Sequence, residues 1–236
     1  MDEASLWGRL KSSLQASAGE VVFGMEDGTV SIFGLVFGVA ATTNDQKAVL
    51  IAGASGAVAA AVSMMAGTYL DAETGEDQTK VMTSRIASDL QNDPDAVLQG
   101  VTQRLQAVGM ASDQAASVRS FLGSQPGVLR GFAMALAMSG NADSRQSPLV
   151  RSLWMLFADF LAAAIPILPF GFLAVPQGRV VSAIVTTLLL VALGVGRAKI
   201  GGRGIVRTVF ETVSIGVAAA IAGVAIGVFI SHVFTL

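Results

Sequence analysis

The feature that most constrains this chain is a run of 23 residues, 48–70, that contains no charged side chain. Three other runs are nearly as apolar. Residues 152–175 carry one charge, at Asp159, and residues 180–196 and 212–230 carry none. A helix needs about 20 apolar residues to cross the hydrocarbon core of a bilayer, within a range of about 17–25. Each run therefore predicts a membrane-spanning helix.

A fifth candidate span brings acidic side chains into the membrane. Residues 28–43 are uncharged, but these 16 residues are too few to cross a bilayer. Extension of the helix back to Val21 supplies the missing length and places Glu26 and Asp27 in the membrane region. The alternative is a re-entrant segment that begins at Gly28.

The composition supports a membrane protein, because 53% of the residues are hydrophobic and only 14% are charged, against roughly a quarter charged in soluble domains. We predict an all-α polytopic membrane protein with five transmembrane helices and a helical cytoplasmic insert between the second and third. The predicted segments are an N-terminal cytoplasmic segment (1–20), transmembrane helices 1 and 2 (21–70), the helical cytoplasmic domain (71–151) and transmembrane helices 3 to 5 (152–236).

The distribution of Lys and Arg predicts the orientation in the membrane. With the N-terminus inside, the inner side holds 13 of these residues and the outer side holds 2. Cytoplasmic loops carry such an excess of positive charge, although long segments count less than short loops. We therefore expect a cytoplasmic N-terminus and an outside C-terminus. Residues 5–18 are expected to form either a short amphipathic helix on the lipid surface or a frayed tail.

The insert has helix boundaries that can be read from its turns. Predicted helices cover residues 80–90, 95–108, 113–122 and 125–138. The Asn92-Asp93-Pro94 break is typical of a helix start, and Gly109 is expected just after a helix end. Ser112 or Asp113 is the expected cap of the third helix.

Two rare residue types exclude several kinds of chemistry. The sequence contains no Cys and a single His, His232, which excludes disulfides, thiolate metal sites and histidine clusters within one chain. A net charge of −2 gives no support for nucleic-acid binding. The sequence contains no nucleophile–base pair or metalloprotease motif, so an enzyme is not expected.

The first span carries a stripe of small residues on one helical face, with Asp27 beside it. Small residues at this spacing let two helices approach closely in lipid, and a large side chain at Gly28 or Gly34 is expected to disrupt a dimer. Acids within a membrane are costly and are functional candidates by default; helix capping near the interface is the alternative for Asp27. The stripe consists of Gly24, Gly28, Ser31, Gly34, Gly38 and Ala41.

Four other residues are candidates for chemistry or for structural contacts. Met64 and Met65, near the inner end of the second span, fit simple packing, but a thioether beside carboxylates would suit a divalent transition metal such as Fe²⁺. Asp159 is expected to line a path, to bond a freed backbone group or to pair with an Arg. Glu211 is expected to pair with Arg207, four residues earlier on the same helix face.

The motifs, taken in order, resemble the vacuolar iron transporter family of plants and yeast. The run from Val22 to Ser31 resembles the first helix of that family, and the run from Ser63 to Leu70 resembles the end of its second. Residues 165–170 are similar to its third-helix signature. Gly196-Arg197 and residues 204–227 are similar to its last two helices. The likeness covers all five spans and is that of a prokaryotic-type member, in a bacterial or archaeal inner membrane.

The resemblance implies a homodimer that exports Fe²⁺, with Mn²⁺ as a second candidate, from the cytosol in exchange for protons. It implies no cofactor, since Fe²⁺ or Mn²⁺ is the transported substrate, and its partners are metal ions, protons and lipid. The resemblance places Asp27 and either Met64 or Met65 on the path. It also implies a metal-binding insert, although the insert is poor in Glu and Thr68 replaces a Glu of the plant pattern. The candidate metal-binding residues are Glu26, Asp27, Met64, Met65, Thr68, Asp71, Glu73, Glu76 and Asp77. A membrane scaffold or metal sensor of the same fold, without transport, is the alternative function.

Overall fold

The computed structural model describes residues 3–138 and 147–234. Within them the chain is helical and contains no strand, which confirms the all-α prediction. The helices are α1 (Glu3–Ala16), α2 (Ala18–Thr42), α3 (Gln46–Asn92), α4 (Pro94–Ala107), α5 (Ser112–Ser124), α6 (Pro126–Met138), α7 (Pro148–Phe172), α8 (Val175–Ile200) and α9 (Ile205–Val233).

Five of these helices, α2, α3, α7, α8 and α9, are long and apolar enough to cross a membrane. The five-helix prediction is therefore confirmed. Helix α2 runs without a break over 25 residues, so the re-entrant alternative is wrong and Glu26 and Asp27 lie inside a spanning helix. The third span ends at Phe172, three residues earlier than predicted, because Leu173 has an extended backbone and Val175-Pro176 begins the next helix.

The chain forms two compact units. One contains residues 1–70 and 146–236, and the other contains residues 71–145. The long helix α3 belongs to both, since its first 25 residues lie in the first unit and its remainder in the second.

In the first unit, α2 lies at the centre and packs against α7, α8 and α9. The core around it contains Val36 of α2, Val49 and Ala57 of α3, and Phe170 of α7, all fully or almost fully buried. Polar contacts add to this packing. Arg151 of α7 forms an ion pair with Glu20 of α2.

The outside of the first unit is strongly apolar. On α9, large side chains such as Val206, Phe210 and Ile221 are mostly exposed. In a soluble protein, an apolar surface of this extent would be unfavourable. A lipid environment accounts for it, since lipid tails are as apolar as these side chains.

The second unit is built from the end of α3 and from α4, α5 and α6. The helix predicted over residues 80–90 is not separate, because α3 continues from the second span as far as Asn92. The predicted break then follows, and the Asp93 carboxylate accepts a hydrogen bond of 3.0 Å from the Ala96 amide at the start of α4. The hydrophobic core of the second unit includes Leu98, Leu122 and Leu129.

Two turn predictions in this unit had different outcomes. Gly109 has a φ of +100° just after α4, as expected for a glycine that ends a helix. The expected cap of α5 is wrong by one residue. Ala111 occupies the cap position, without a side-chain hydrogen bond, and Ser112 is already helical.

At the N-terminus, residues 3–16 form α1, which confirms a helix close to the predicted range of 5–18. Trp7, Leu10 and Leu14 are exposed along it. Trp154 of α7 donates a hydrogen bond of 2.9 Å to the hydroxyl of Ser13. The end of α1 is therefore tied to the membrane helices, whereas its position on a lipid surface stays a prediction.

Candidate functional site

The first unit contains a cavity of about 430 Å³ between α2, α8 and α9. Its wall is mainly apolar, with residues such as Val22, Phe23 and Ile215. The charged and hydroxyl side chains that line it are Glu26, Asp27, Arg197, Arg203 and Thr212. Glu26 and Asp27, the two acids that the length of the first span places in the membrane region, therefore line the same cavity.

Glu26 is already engaged by neighbouring helices. One carboxylate oxygen lies 3.3 Å from the guanidinium of Arg197 on α8, and the other accepts a hydrogen bond of 3.1 Å from the Thr212 hydroxyl on α9. Arg203, on the same wall, lies 3.2 Å from Glu211. The carboxylate of Glu26 thus neutralises Arg197 and links α2 to two other helices.

Asp27 differs from Glu26 in that it has neither a hydrogen bond nor an ion pair within the described part of the chain. Its side chain is half-buried. Because Arg197 and Arg203 have other carboxylates as partners, Asp27 is the acid in this wall whose negative charge is not neutralised by a contact. A carboxylate in this state can bind a cation that enters the cavity.

The small-residue stripe brings helices of a single chain together. A Cβ atom added to Gly34 would lie 2.8 Å from the carbonyl oxygen of Ala219 on α9, and one added to Gly38 would lie 2.6 Å from that of Gly223. A Cβ on Gly28 would meet Asp159 of α7. The expectation that Gly28 and Gly34 mark a contact between two chains is therefore corrected, since neighbours from the same chain occupy both places.

The predicted thioether ligands lie apart from this cavity. Met64, Met65 and Thr68 are half-buried on α3, and among the described residues none of the three lines the cavity that contains Asp27. Along this part of α3, burial is confined to a narrow face, which includes Val49, Gly53, Ala57 and Ala61.

The acidic cluster after the second span lies on α3, in the second unit. Asp71, Glu73 and Asp77 are exposed and Glu76 is half-buried; Asp77 pairs with Lys80 at 3.0 Å. Among the described residues, no three Asp, Glu or His side chains converge as a metal site would require. These four acids are therefore arranged along a helix and not around a point.

Two acids outside the predicted ligand set are now placed. Glu211 pairs with Arg207 at 3.0 Å, as predicted, and also with Arg203. Asp159 is completely buried and has no Arg partner in the described chain. The sequence did not predict the contact between Asp159 and Gly28. Small residues around it on α7, such as Ala158, Ala162 and Ala163, are the signal that this helix face meets another helix closely.

Comparison with known proteins identifies the family. The family model described as the VIT family matches residues 18–228, which cover α2, α3, α7 and α8 in full and α9 as far as residue 228. The chain belongs to the VIT family. Members of this family are transporters and not enzymes, which agrees with the expectation that the chain is not an enzyme.

Curated relatives of this VIT-family chain come from plants. Vacuolar iron transporter 1 of Arabidopsis thaliana is 26% identical over 214 residues, or 90% of this chain and 86% of the relative. Vacuolar iron transporter of Centaurea cyanus is 26% identical over 204 residues, 86% of this chain and 83% of the relative. Vacuolar iron transporter 2 of Oryza sativa subsp. japonica is 25% identical over 211 residues, or 87% of this chain and 86% of the relative.

Proposed function

We propose that this VIT-family protein is a divalent transition-metal carrier that moves Fe²⁺, with Mn²⁺ as a second candidate substrate, out of the cytosol in exchange for protons. The relatives named as iron transporters align over most of the chain. The observation that carries the proposal is the state of Asp27, a half-buried acid in a spanning helix, at a cavity wall, without a charge partner.

Asp27 is the residue that binds the ion. An acid within a membrane is energetically costly unless it serves a function, and the cost falls when a cation or a proton neutralises it. Alternation between these two occupants would couple metal movement to proton movement. Glu26 has a supporting role in this scheme, because its two oxygens already contact Arg197 and Thr212.

The soft ligand of the path is expected to come from α3. Met64 or Met65 would add a thioether that favours Fe²⁺ over harder cations such as Mg²⁺, with Thr68 on the same helix. Since neither methionine lines the cavity of Asp27 in a single chain, we propose that a homodimer brings α3 of one protomer to the path. The acids Asp71, Glu73, Glu76 and Asp77 would attract cations to the inner mouth.

The proposed setting is an inner membrane of a bacterium or archaeon, with the N-terminus and residues 71–151 in the cytoplasm and the C-terminus outside. The asymmetric distribution of Lys and Arg supports this orientation.

The proposal is tested by reconstitution of the full chain in liposomes. Fe²⁺ and Mn²⁺ fluxes are measured with a trapped metal indicator, with and without an imposed proton gradient, and lumenal pH is followed in parallel. The decisive variant is Asp27→Asn, which keeps the shape of the side chain and removes the charge. Asp113→Asn, an exposed acid of α5, is the matched control.

We expect metal flux that responds to the proton gradient in the wild type and in the control, and none above background in Asp27→Asn, with the same oligomeric state and melting temperature for all three. Flux at the wild-type rate in Asp27→Asn would refute the mechanism. The absence of flux from wild type for every metal tried would instead favour the scaffold or sensor function.

A further inference from the structure

Asp159, in the middle of α7, is the least explained charged group in the described chain. None of its surface is exposed. Four buried side-chain nitrogen or oxygen atoms in the described residues have no hydrogen-bond partner, and two of them are the carboxylate oxygens of Asp159. An isolated carboxylate in such a place is energetically costly unless something neutralises it.

The carboxylate of Asp159 faces α2 at the residue after Asp27. A Cβ atom on Gly28 would lie 2.5 Å from Oδ1 of Asp159, so the absence of a side chain at position 28 makes the space for this acid. Asp27 is the residue next to Gly28 in α2, so the two acids belong to neighbouring positions of the contact between α2 and α7. Repulsion between two negative charges at such positions would add to the cost of burial.

A third donor lies one helical turn away. Met155 precedes Asp159 by four residues and is also buried, and a Cβ atom on Gly24 would lie 2.6 Å from its sulfur. Helix α7 thus presents a thioether and a carboxylate, in successive turns, to the glycine face of α2. Both donors reach α2 because the residues opposite them are glycines.

The geometry points to a second carboxylate ligand for the transported cation: Asp159, together with Asp27 and with Met155 as a neighbouring thioether donor, forms a divalent-metal site between α2 and α7 of one protomer. This inference rests on the proposed function, in which Asp27 binds the ion. A divalent cation neutralises both acids at once, and a mixed carboxylate and thioether set suits a borderline metal such as Fe²⁺.

This site does not require a ligand from α3, unlike a site that includes Met64 or Met65. Its donors come from two helices that pack extensively in a single chain, so that the cation would be held by the first protomer before or without a thioether from Met64 or Met65. The Glu26 carboxylate does not belong to it, because Arg197 and Thr212 occupy both oxygens.

The test measures Fe²⁺ binding to the purified full chain in detergent by anaerobic equilibrium dialysis. Asp159→Asn removes the charge and keeps the shape; Asp159→Ala removes the carboxylate and adds no bulk. The Fe²⁺ that still binds to Asp27→Asn is the binding that does not depend on the proposed site. Asp113→Asn is the control variant. Size-exclusion profiles and melting temperatures without metal are recorded for each variant.

We expect both Asp159 variants to fold, to melt without metal at the wild-type temperature or above it, and to bind Fe²⁺ at the Asp27-dependent site at least tenfold more weakly. If Asp27→Asn loses binding while both Asp159 variants bind as the wild type does, the proposed function stands and this inference is wrong. If Asp27→Asn itself changes nothing, the proposed function fails first. If neither Asp159 variant folds, the carboxylate is structural and the inference is overturned.

Discussion

Glu26 of α2 and Arg197 of α8 form an ion pair of 3.3 Å at the wall of the cavity, and the two side chains differ in burial: 14% of the Glu26 side chain is exposed, against 38% of the Arg197 side chain. Their pairing leaves Asp27, the next residue, as the acid of that wall without a partner. We therefore expect these adjacent acids of one helix to have separate roles: Glu26 links the helices, and Asp27 is the proposed ligand of the ion.

This asymmetry predicts unequal costs for the two neutralising substitutions. Arg197→Gln leaves a mostly buried carboxylate without its cation and should lower stability by about 2–3 kcal/mol, whereas Glu26→Gln leaves a more hydrated guanidinium and should cost about 1 kcal/mol. Thermal unfolding in detergent measures both. The double variant should cost less than the sum of the two; strict additivity would show that the pair does not interact.

The glycines between α2 and α9 predict which small-to-larger changes the chain tolerates. Gly38→Ala should lower stability by about 1–3 kcal/mol, because its methyl group would meet the backbone of Gly223. Gly67→Ala and Gly75→Ala are matched controls within α3, where an added Cβ meets nothing within 4 Å. These controls should be neutral or gain up to about 1 kcal/mol from helix propensity.

Melting temperature and the monodisperse fraction on size exclusion report the result for the glycine variants. If Gly38→Ala left the melting temperature unchanged while it dissociated a dimer, the glycine face would serve assembly and not the fold of the single chain.

The acids at the start of the second unit are expected to act by long-range attraction. Joint neutralisation of Glu73, Glu76 and Asp77 should raise the apparent KM for metal, more at low salt than at high salt, and leave kcat nearly unchanged, since screening over about 8–10 Å removes such attraction at physiological ionic strength. Flux into proteoliposomes at two ionic strengths is the measurement. Neutralisation of Asp89, Asp95 and Asp113, which are exposed on other turns, is the matched control.

Two results would contradict this mechanism of attraction. A loss of kcat in the triple variant would assign these acids to the transport step. Stoichiometric binding of several ions per chain that persists in high salt would show a coordinated metal site in the second unit.

The orientation can be tested directly because the chain contains no cysteine. Single cysteines at exposed positions should react with an impermeant maleimide from one side only. We expect Ser117 and Lys199 variants to react from the cytoplasmic side and an Asn44 variant to react from outside. Labelling of intact cells before and after permeabilisation distinguishes the sides; the reverse pattern would invert the proposed direction of transport.

Sequence reasoning predicted the secondary structure of the membrane helices well, because their signal is length without charge. It predicted the position of Asp27 within the first span for the same reason, because that span was too short without it. It was less successful at boundaries governed by local competition. Lys80 was assigned to a separate helix, although no helix-breaking residue stands between Leu70 and Asn92 except Gly75, which a long helix tolerates.

What the sequence by itself determined is the class of protein, the number of spans and the presence of acids at membrane depth, since bilayer thickness and the cost of charge in lipid act on each segment separately. Only the tertiary structure decided which acid has a partner. Arg197 lies 171 positions from Glu26 along the chain, and Asp159 lies against Gly28 across a different helix contact. Such pairings depend on how helices pack side by side. A local pattern of small residues marks the face of a close contact, but it does not record which helix meets that face.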